Sequence, residues 1–237
     1  MPDSSNPRHL AIALLGHGKM GKAIESLAPQ RGFDVKLILD EFSNRDYEGI
    51  TPANFSGIDV CIDFTTPETA VENVRRVAAL GCNLVVGTTG WHERLEEVRQ
   101  IVNQAGIGMV YGPNFSIGVQ LFYRAAQAVA QVFKDYAAYE PYIAESHHRF
   151  KKDAPSGTAI ELKRRVQSVL GPRDLPVSSV RGGYIPGVHE LVFDSEADTV
   201  IVQHTARGRQ GFAEGALYAA RRVMGKKGLF NFAEIVE

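Results

Sequence analysis

The chain has 237 residues, enough to bury a sizeable core as one large domain or two modest ones. Its formal net charge of -1, from 26 Lys plus Arg against 27 Asp plus Glu, gives no overall attraction to nucleic acid or to an anionic membrane. No apolar run approaches the ~20 residues of a membrane span, and Cys61 and Cys82 lie in apolar segments as reduced core thiols do, so we expect a cytoplasmic protein.

The first half of the chain alternates between apolar strands and amphipathic helices. The predicted elements are a strand at 10–16, a helix at 19–31, strands at 35–40 and 59–65, a helix at 67–80, a strand at 83–89, a helix at 91–104 and a strand at 108–112. A run of β-α-β units predicts an α/β fold with a doubly wound parallel sheet of the Rossmann type. Ligands of such sheets bind at the carboxyl ends of the strands.

The pattern changes after Asn114. The predicted elements are a helix at 117–133, a strand at 136–146, a helix at 157–170, a hairpin of strands at 187–194 and 198–206, and a helix at 213–224. Strands without helical crossovers predict a second, smaller α+β domain. We therefore predict two domains, one at 1–115, with the segment 213–237 packing back on it, and one at 116–212.

The segment GHGKMG, Gly16 to Gly21, has GxGxxG spacing between a strand and a helix. In that setting Gly16 permits the tight turn, Gly18 lets the backbone approach a pyrophosphate, and Gly21 allows close packing of the helix. Asp40 follows 19 residues after Gly21, at the end of the second strand, where an acidic side chain can accept hydrogen bonds from an adenosine ribose. The alternatives are a merely tight turn and an ordinary turn aspartate.

The segment GTTG, Gly87 to Gly90, ends a later strand at the edge where ligands bind. Its small residues let a flat ring or a ribose approach the backbone. A common turn is the alternative interpretation, and the tetrapeptide alone does not separate the two.

The segment ESHHRFKKDAPSGTA, Glu145 to Ala159, combines five basic side chains in six positions with a helix start. Ser156 is the predicted N-cap, which leaves the N–H groups of Gly157 and Thr158 available for an anion. The charges therefore favour a small anionic substrate, against the alternatives of a capped helix and solvated surface charges. His147 and Lys151 are candidate general acids. No HExxH and no cysteine cluster accompany the adjacent histidines, so no metal site is predicted.

These segments together resemble the 4-hydroxy-tetrahydrodipicolinate reductase family over essentially the whole chain. The resemblance rests on GHGKMG, on DFT at Asp63 to Thr65, on GTTG, on PNFSIGV from Pro113 and on ESHHRFKKDAPSGTA, which is similar to the family signature E-x-H-H-x-x-K-x-D-A-P-S-G-T-A. The segments RGGYIPGVHELVF from Arg181 and HTARGRQGFAEGA from His204 are also similar to family segments. The implied reaction is reduction of the cyclic imine formed when 4-hydroxy-tetrahydrodipicolinate loses water.

The resemblance also implies roles for individual residues. Lys151 and His147 would be the catalytic pair, in which Lys151 is favoured as the donor to the substrate and His147 either positions it or protonates beside it. The substrate carboxylates would bind to His148 and to the backbone of Gly157 and Thr158. The cofactor, NADH or NADPH, would contact Gly16, His17, Gly18, Lys19, Met20, Gly21 and Asp40, and its nicotinamide end would lie near Gly87, Thr88, Thr89, Gly112, Asn114 and Phe115. The assembly would be a homotetramer built through the hairpin sheet.

Two other functions fit part of the chain. A Rossmann oxidoreductase acting on a sugar or polyol would explain the first half, but a neutral polyol does not need the cationic segment, and no YxxxK motif of the short-chain type occurs. A non-catalytic dinucleotide-sensing module would use the cationic segment to bind an acidic partner. We expect NADH to be preferred over NADPH, because Asp40 and Glu41 would repel a 2'-phosphate.

Overall fold

The computed structural model describes residues 8–236, and their contacts divide the chain into two compact units. The first unit contains the described residues up to Ser116 together with those from Phe212 onward, and the second unit is Ile117–Gly211. Residues 1–7, at the start of the predicted first domain, and residue 237 lie outside the described residues. Strands and helices are numbered below in chain order.

The first unit contains a six-stranded sheet. Its strands are β1 (Leu10–Leu15), β2 (Phe33–Leu39), β3 (Val60–Asp63), β4 (Asn83–Val86), β5 (Gly108–Tyr111) and β10 (Gly228–Asn231). Their order is β10-β5-β4-β3-β1-β2, and every pair is parallel. The predicted parallel α/β sheet is therefore confirmed. The sequence pattern did not predict β10, which pairs with β5 at the edge of the sheet.

Helices cover the sheet because each presents an apolar stripe to it. They are α1 (Lys19–Leu27), α2 (Pro67–Ala79), α3 (Leu95–Ala105), α6 (Gln210–Arg222) and the single turn α7 (Phe232–Ile235). A short 3-10 segment continues α1 to Arg31, and Gly32 then ends it with a φ of 75°. Side chains of β1, β3 and β4 form a buried core with the apolar faces of α2 and α3, including Val74, Val98 and Val102.

The second unit is a four-stranded sheet with two long helices. Its elements are α4 (Ile117–Phe133), β6 (Glu140–His147), α5 (Gly157–Leu170), β7 (Val177–Arg181), β8 (Val188–Asp194) and β9 (Thr199–Thr205). The sheet order is β7-β6-β8-β9, and β8 and β9 form the predicted antiparallel hairpin. The predicted second, smaller α+β domain is confirmed, but β6 pairs in parallel with β7 through α5, a helical crossover that the sequence did not predict.

Two elements begin at residues other than the predicted ones. The strand predicted from Tyr136 begins at Glu140, because residues 136–139 form turns in which the Tyr136 and Tyr139 amides donate to carbonyls three residues earlier. Helix α6 begins at Gln210, three residues before its predicted start. Within residues 8–236, no helix has both the length and the apolar character needed to cross a membrane.

Candidate active site

The glycine-rich turn after β1 has the geometry that its spacing predicts. Gly16 has a φ of +88°, and a Cβ on it would lie 2.4 Å from the carbonyl oxygen of Phe64. A Cβ on Gly21 would lie 2.2 Å from the carbonyl oxygen of Gly16, so a side chain there would push α1 away from the turn. A Cβ on Gly18 would meet nothing within 4 Å. The first and last glycines are therefore required by packing, whereas Gly18 leaves the backbone open to a ligand.

The N-terminus of α1 is free to bind an anion. Gly18 is its N-cap and supplies no side-chain hydrogen bond, so the first N–H groups are not capped from within the turn. Lys19 is exposed and Met20 is half-buried. The Nε2 atom of His17 lies 2.7 Å from Oε2 of Glu25 on the same helix, which orients the His17 ring along α1.

Asp40 ends β2 and organises the loop that follows. Its Oδ1 accepts hydrogen bonds from the Phe42 amide at 3.1 Å, the Ser43 amide at 2.9 Å and the Ser43 hydroxyl at 2.8 Å. The Ser43 amide and hydroxyl are the main reason why the pKa of Asp40 is lowered. Within residues 8–236 no hydrogen bond reaches Oδ2, so one carboxylate oxygen shapes the turn and the other remains for a ligand.

Asp63, at the end of β3, is fully buried and joins the loops after β3 and β4. Its Oδ1 accepts from the Thr65 amide, the Thr65 hydroxyl and the Thr88 hydroxyl, at 2.9, 2.8 and 2.8 Å. Its Oδ2 accepts from the side chain of Asn73 at 2.9 Å. Burial raises the pKa of Asp63 against these hydrogen bonds. The Thr88 hydroxyl is thus directed into the protein, so Thr88 supports the loop through Asp63.

Four of the remaining predicted nicotinamide-end residues, Gly87, Thr89, Gly112 and Phe115, are small or apolar. A Cβ on Gly87 would lie 2.1 Å from the ring of Phe64, so Phe64 packs directly on that backbone. Thr89 is exposed. A Cβ on Gly112 would lie 3.0 Å from Cβ of Phe232, and Phe115 is buried with its ring centroid 4.6 Å from that of Phe232.

Asn114 orders the loop before α4. The Oδ1 atom of Asn114 accepts a hydrogen bond from the Ser116 amide at 2.9 Å, which fixes the chain just before the helix. Asn114 has a further interaction within the chain as well. Gly112, Asn114 and Phe115 therefore form a well-packed segment after β5, as Gly87 and Thr88 do after β4.

In the second unit, the start of α5 is open and capped as predicted. Ser156 is the N-cap, and its Oγ accepts from the Ala159 amide at 3.1 Å. Gly157 is exposed, and a Cβ on it would meet nothing within 4 Å. The carbonyl oxygen of Thr158 accepts from the hydroxyl of Tyr123 at 3.3 Å. The backbone at Gly157 is therefore accessible to an anion.

The cationic segment precedes this helix and is only partly free. The ammonium of Lys151 donates to both carboxylate oxygens of Asp153, at 2.7 and 2.8 Å. His148 is half-buried, and its Nδ1 is buried without a hydrogen-bond partner in residues 8–236. Arg149 lies over the rings of Phe150 and Tyr184, with 4.9 and 5.4 Å from its Cζ to the centroids. One of the five predicted cations is thus occupied by stacking.

Glu145 is a buried carboxylate for which the sequence predicted no role. It is 2% exposed, near the end of β6. Its Oε1 accepts from the Ser156 amide at 2.9 Å, the Ser179 hydroxyl at 2.7 Å and the Arg181 guanidinium at 2.8 Å. Burial raises its pKa, but hydrogen bonds from these three residues outweigh burial and lower the pKa to about 2. The carboxylate is therefore ionised and ties β6 to α5 and β7.

Two histidines pack against this carboxylate. His147 is 7% exposed, and its ring lies 4.9 Å, edge to face, from that of His189. Burial lowers the pKa of His147, and it lowers the pKa of His189 to about 4, so both are neutral near pH 7. Glu145, His147 and His189 bring ligand atoms within 4.8 Å of one another, but Arg181 already neutralises the carboxylate. The cluster suits a hydrogen bond from the N–H of a neutral imidazole better than a metal ion.

The comparisons with known proteins agree along the whole chain. Residues 10–115 match the family model for the N-terminus of dihydrodipicolinate reductase, and residues 118–236 match that for its C-terminus. A 4-hydroxy-tetrahydrodipicolinate reductase of Christiangramia forsetii is 34% identical over 236 residues, 95% of this chain and 97% of the relative. One of Methanococcus aeolicus is 35% identical over 187 residues, 71% of this chain and 67% of the relative.

A solved structure shows the same fold. The dipicolinate-bound dihydrodipicolinate reductase of Paenisporosarcina sp. TG-14 matches with a TM-score of 0.79 and 23% identity, covering 94% of this chain and 97% of that one. At this identity the likeness establishes the architecture of both units, and residue roles depend on the geometry described above.

Proposed function

This chain belongs to the dihydrodipicolinate reductase family, and we propose on that premise that it reduces the cyclic imine derived from 4-hydroxy-tetrahydrodipicolinate to tetrahydrodipicolinate. It is an oxidoreductase of lysine and diaminopimelate biosynthesis. The reaction adds one hydride and one proton to the dehydrated substrate. The observation that carries the proposal is the open N-terminus of α5 directly after the cationic segment, which suits a dicarboxylate.

The substrate site is proposed at the start of α5. The proposed donors are the N–H groups of Gly157 and Thr158, in the first turn of the helix, and the absence of a side chain at Gly157 lets a carboxylate approach this turn. His148 lies in the loop that leads to this helix and offers a second polar contact. Charge-assisted hydrogen bonds to a carboxylate are about twice as strong as neutral ones, so a small number of donors holds the substrate.

The proton is proposed to come from Lys151, with His147 as its partner. Lys151 is a compact cation in a bidentate pair with Asp153, which holds its ammonium in place before substrate binds. A conjugated imine accepts hydride more readily when it is protonated, so a positioned acid lowers the barrier in the transition state. The His147 ring lies four residues earlier, at the end of β6.

The cofactor is proposed to bind in the first unit, and bound NAD(P)H supplies the hydride. The open space at Gly18 and the uncapped start of α1 fit a pyrophosphate, with Gly16, His17, Lys19, Met20 and Gly21 around it. Gly87, Thr88, Thr89, Gly112, Asn114 and Phe115 would hold the nicotinamide end. Family membership supports a dinucleotide in general.

The proposed preference for NADH rests on Asp40. Its Oδ2 is available to ribose hydroxyls, and with Glu41 it would repel a 2'-phosphate, whereas Lys19 and Arg45 are the nearby cations in sequence that oppose this repulsion. We expect kcat/KM to favour NADH by roughly tenfold, which corresponds to ~1.4 kcal/mol. Measuring kcat/KM for both cofactors at one ionic strength tests this, and equal use of NADPH would remove Asp40 as the discriminating residue.

The domain roles and the assembly are also proposals. Residues 1–115 with 213–237 would bind the dinucleotide, and residues 116–212 would bind the substrate and form a homotetramer through the hairpin sheet. Exposed apolar side chains on β9, Val200 and Ile201, support the last point. The two buried free cysteines support a cytoplasmic location. Sedimentation equilibrium would distinguish the tetramer from a monomer or a dimer.

The direct test couples the purified protein to dihydrodipicolinate synthase. Loss of NADH absorbance when the synthase product is supplied is the expected result. A protein that bound NADH but left the absorbance unchanged would be a sensing module, and one that oxidised a polyol with NAD would be an oxidoreductase of another class.

A further inference from the structure

The two carboxylate oxygens of Glu145 have different partners. Oε1 is saturated by Ser156, Ser179 and Arg181, as described above. Oε2 is buried and makes no hydrogen bond within residues 8–236. It lies 3.3 Å from Nδ1 of His147 and 3.6 Å from Nε2 of His189. A buried, ionised oxygen with no donor is expensive to maintain, so a nearby N–H should be directed at it.

His147 is the better placed of the two rings to supply that N–H. Its Nδ1 is buried and has no other hydrogen-bond partner among the described residues, whereas Nε2 of His189 already lies 3.1 Å from the Ser156 hydroxyl. A neutral imidazole carries one N–H, and a carboxylate beside Nδ1 favours the tautomer protonated there. That tautomer leaves the lone pair of His147 on Nε2.

The opposite side of the His147 ring is kept clear by a glycine. A Cβ on Gly187 would lie 3.2 Å from Nε2 of His147 and 3.3 Å from the adjacent ring carbon. Contacts of 3.0 to 3.4 Å are tighter than ordinary van der Waals packing, so any other residue at 187 would crowd this nitrogen. Glu145 therefore lies beside Nδ1 of His147, whereas Gly187 leaves space beside Nε2 on the other side of the ring.

We infer that Glu145 is a positioning residue for His147: it accepts a hydrogen bond from Nδ1–H, fixes the tautomer and ring orientation, and leaves Nε2 to exchange a proton during reduction. Arg181 and Ser179 hold the carboxylate in place from β7. A proton taken up on Nε2 from solvent makes the ring an imidazolium, which the Glu145 charge 3.3 Å from Nδ1 stabilises, and release of that proton replaces the one that Lys151 gives to the substrate. This inference rests on the proposed function, in which His147 acts beside Lys151.

The main alternative is that Glu145 only ties β6, β7 and α5 together. The two roles make different predictions for Glu145→Gln, which keeps the shape of the side chain. Its amide oxygen can still accept from Ser156, Ser179 and Arg181, but an amide NH₂ would replace Oε2 and would donate to His147 instead of accepting from it. We therefore expect the tautomer of His147 to change to Nε2–H in the folded variant.

The first measurement is the ¹⁵N spectrum of histidine-labelled protein at neutral pH, with His147 assigned by comparison with His147→Asn. We expect Nδ1–H in the wild type and Nε2–H in Glu145→Gln. An Nε2–H tautomer in the wild type would overturn the inference without any need for the variant to fold. Retention of Nδ1–H in a folded Glu145→Gln protein would overturn it as well.

The second measurement is steady-state kinetics, with Glu140→Gln as the matched control at the exposed start of the same strand. We expect Glu145→Gln to lower kcat by roughly 10²-fold or more with less than about threefold change in the substrate KM, and Glu140→Gln to leave both unchanged. Ser179→Ala removes one donor to Oε1 of Glu145, so it should keep the Nδ1–H tautomer of His147 and lower kcat less than Glu145→Gln does. Wild-type kcat in Glu145→Gln, or a raised KM alone, would mean a structural anchor. An inactive wild-type enzyme would instead refute the proposed function.

Discussion

Gly157 allows the proposed substrate site to be tested without disturbing the fold. A Cβ there meets nothing within 4 Å, and the residue is exposed at the first position of α5. Replacing it with Val should therefore change the free energy of unfolding by no more than about 1 kcal/mol, because the added side chain meets no neighbour and Val has a slightly better helix propensity than Gly. The same side chain would stand where a carboxylate must approach the helix N-terminus.

The expected loss of affinity follows from the hydrogen bonds that the side chain would block. A hydrogen bond to a charged group contributes about 1.5 to 3 kcal/mol, so losing one weakens substrate binding by roughly 10- to 100-fold. Gly18 provides a reciprocal control, because it has the same open space at the start of α1. Gly18→Val should weaken NADH binding and leave dicarboxylate binding at saturating NADH unchanged.

Calorimetry with NADH, and with dipicolinate at saturating NADH, measures both affinities for the two variants. The expected result is a crossed pattern, in which each variant loses one ligand and keeps the other, with thermal unfolding close to that of the wild type. Unchanged dipicolinate affinity in a folded Gly157→Val protein would show that the carboxylate does not bind at the start of α5. Equal losses of both ligands would show a general disturbance and would refute the assignment of separate sites.

Three further predictions concern catalysis, folding and acid stability. Lys151→Ala should lower kcat by roughly 10²- to 10⁴-fold with a much smaller effect on KM, and a raised KM with intact kcat in steady-state assays would make Lys151 an anchor. Gly16→Ala should lower the free energy of unfolding by about 2 to 4 kcal/mol in urea titrations, because its φ of +88° and the 2.4 Å approach to a backbone oxygen force a rearrangement. Acid should destabilise the protein in two steps, because folding lowers the pKa of His189 from 6.5 to about 4 and that of Glu145 from 4.5 to about 2. The free energy of unfolding should therefore fall between pH 6.5 and 4, and again below pH 4.5. His189→Gln should reduce the fall between pH 6.5 and 4.

The sequence predicted the elements whose signals are local. The bounds of α4 and α5 coincide with the predicted ones, because helical periodicity, the Ser156 cap and Gly171 mark them within one turn. Strands β3 and β4 end two and three residues earlier than predicted, at Asp63 and Val86. There the chain leaves the sheet to form the loops that Asp63 and Thr88 join, and that hydrogen bond spans 25 residues.

The two strands that the sequence did not predict depend on distant partners. β7 contains Ser178 and Ser179 and lies at the edge of its sheet, so it lacks the apolar run of a central strand. β10 has four residues, and its partner β5 lies more than a hundred residues earlier in the chain. Neither pairing leaves a signal within a short window of sequence, since it is the rest of the sheet that makes each strand stable.

The cluster of Glu145, His147 and His189 could be predicted in part from the sequence, because side chains alternate between the two faces of β6. Pro141, Ile143, Glu145 and His147 alternate on the buried face of that strand, so an acid and a histidine follow an apolar residue into the interior. A buried carboxylate requires donors, and the sequence could not show that they come from the start of α5 and from β7. Glu145 therefore connects two proposed sites. Its Oε1 accepts from the Ser156 amide at the start of α5, where the carboxylate site is proposed, and from Arg181, whereas its Oε2 lies beside His147, the proposed proton-transfer residue. A substitution at Glu145 should therefore disturb His147 through the loss of Oε2 and the start of α5 through the loss of Oε1. Glu145→Gln separates the two effects, because it preserves the contacts of Oε1 and changes only those of Oε2.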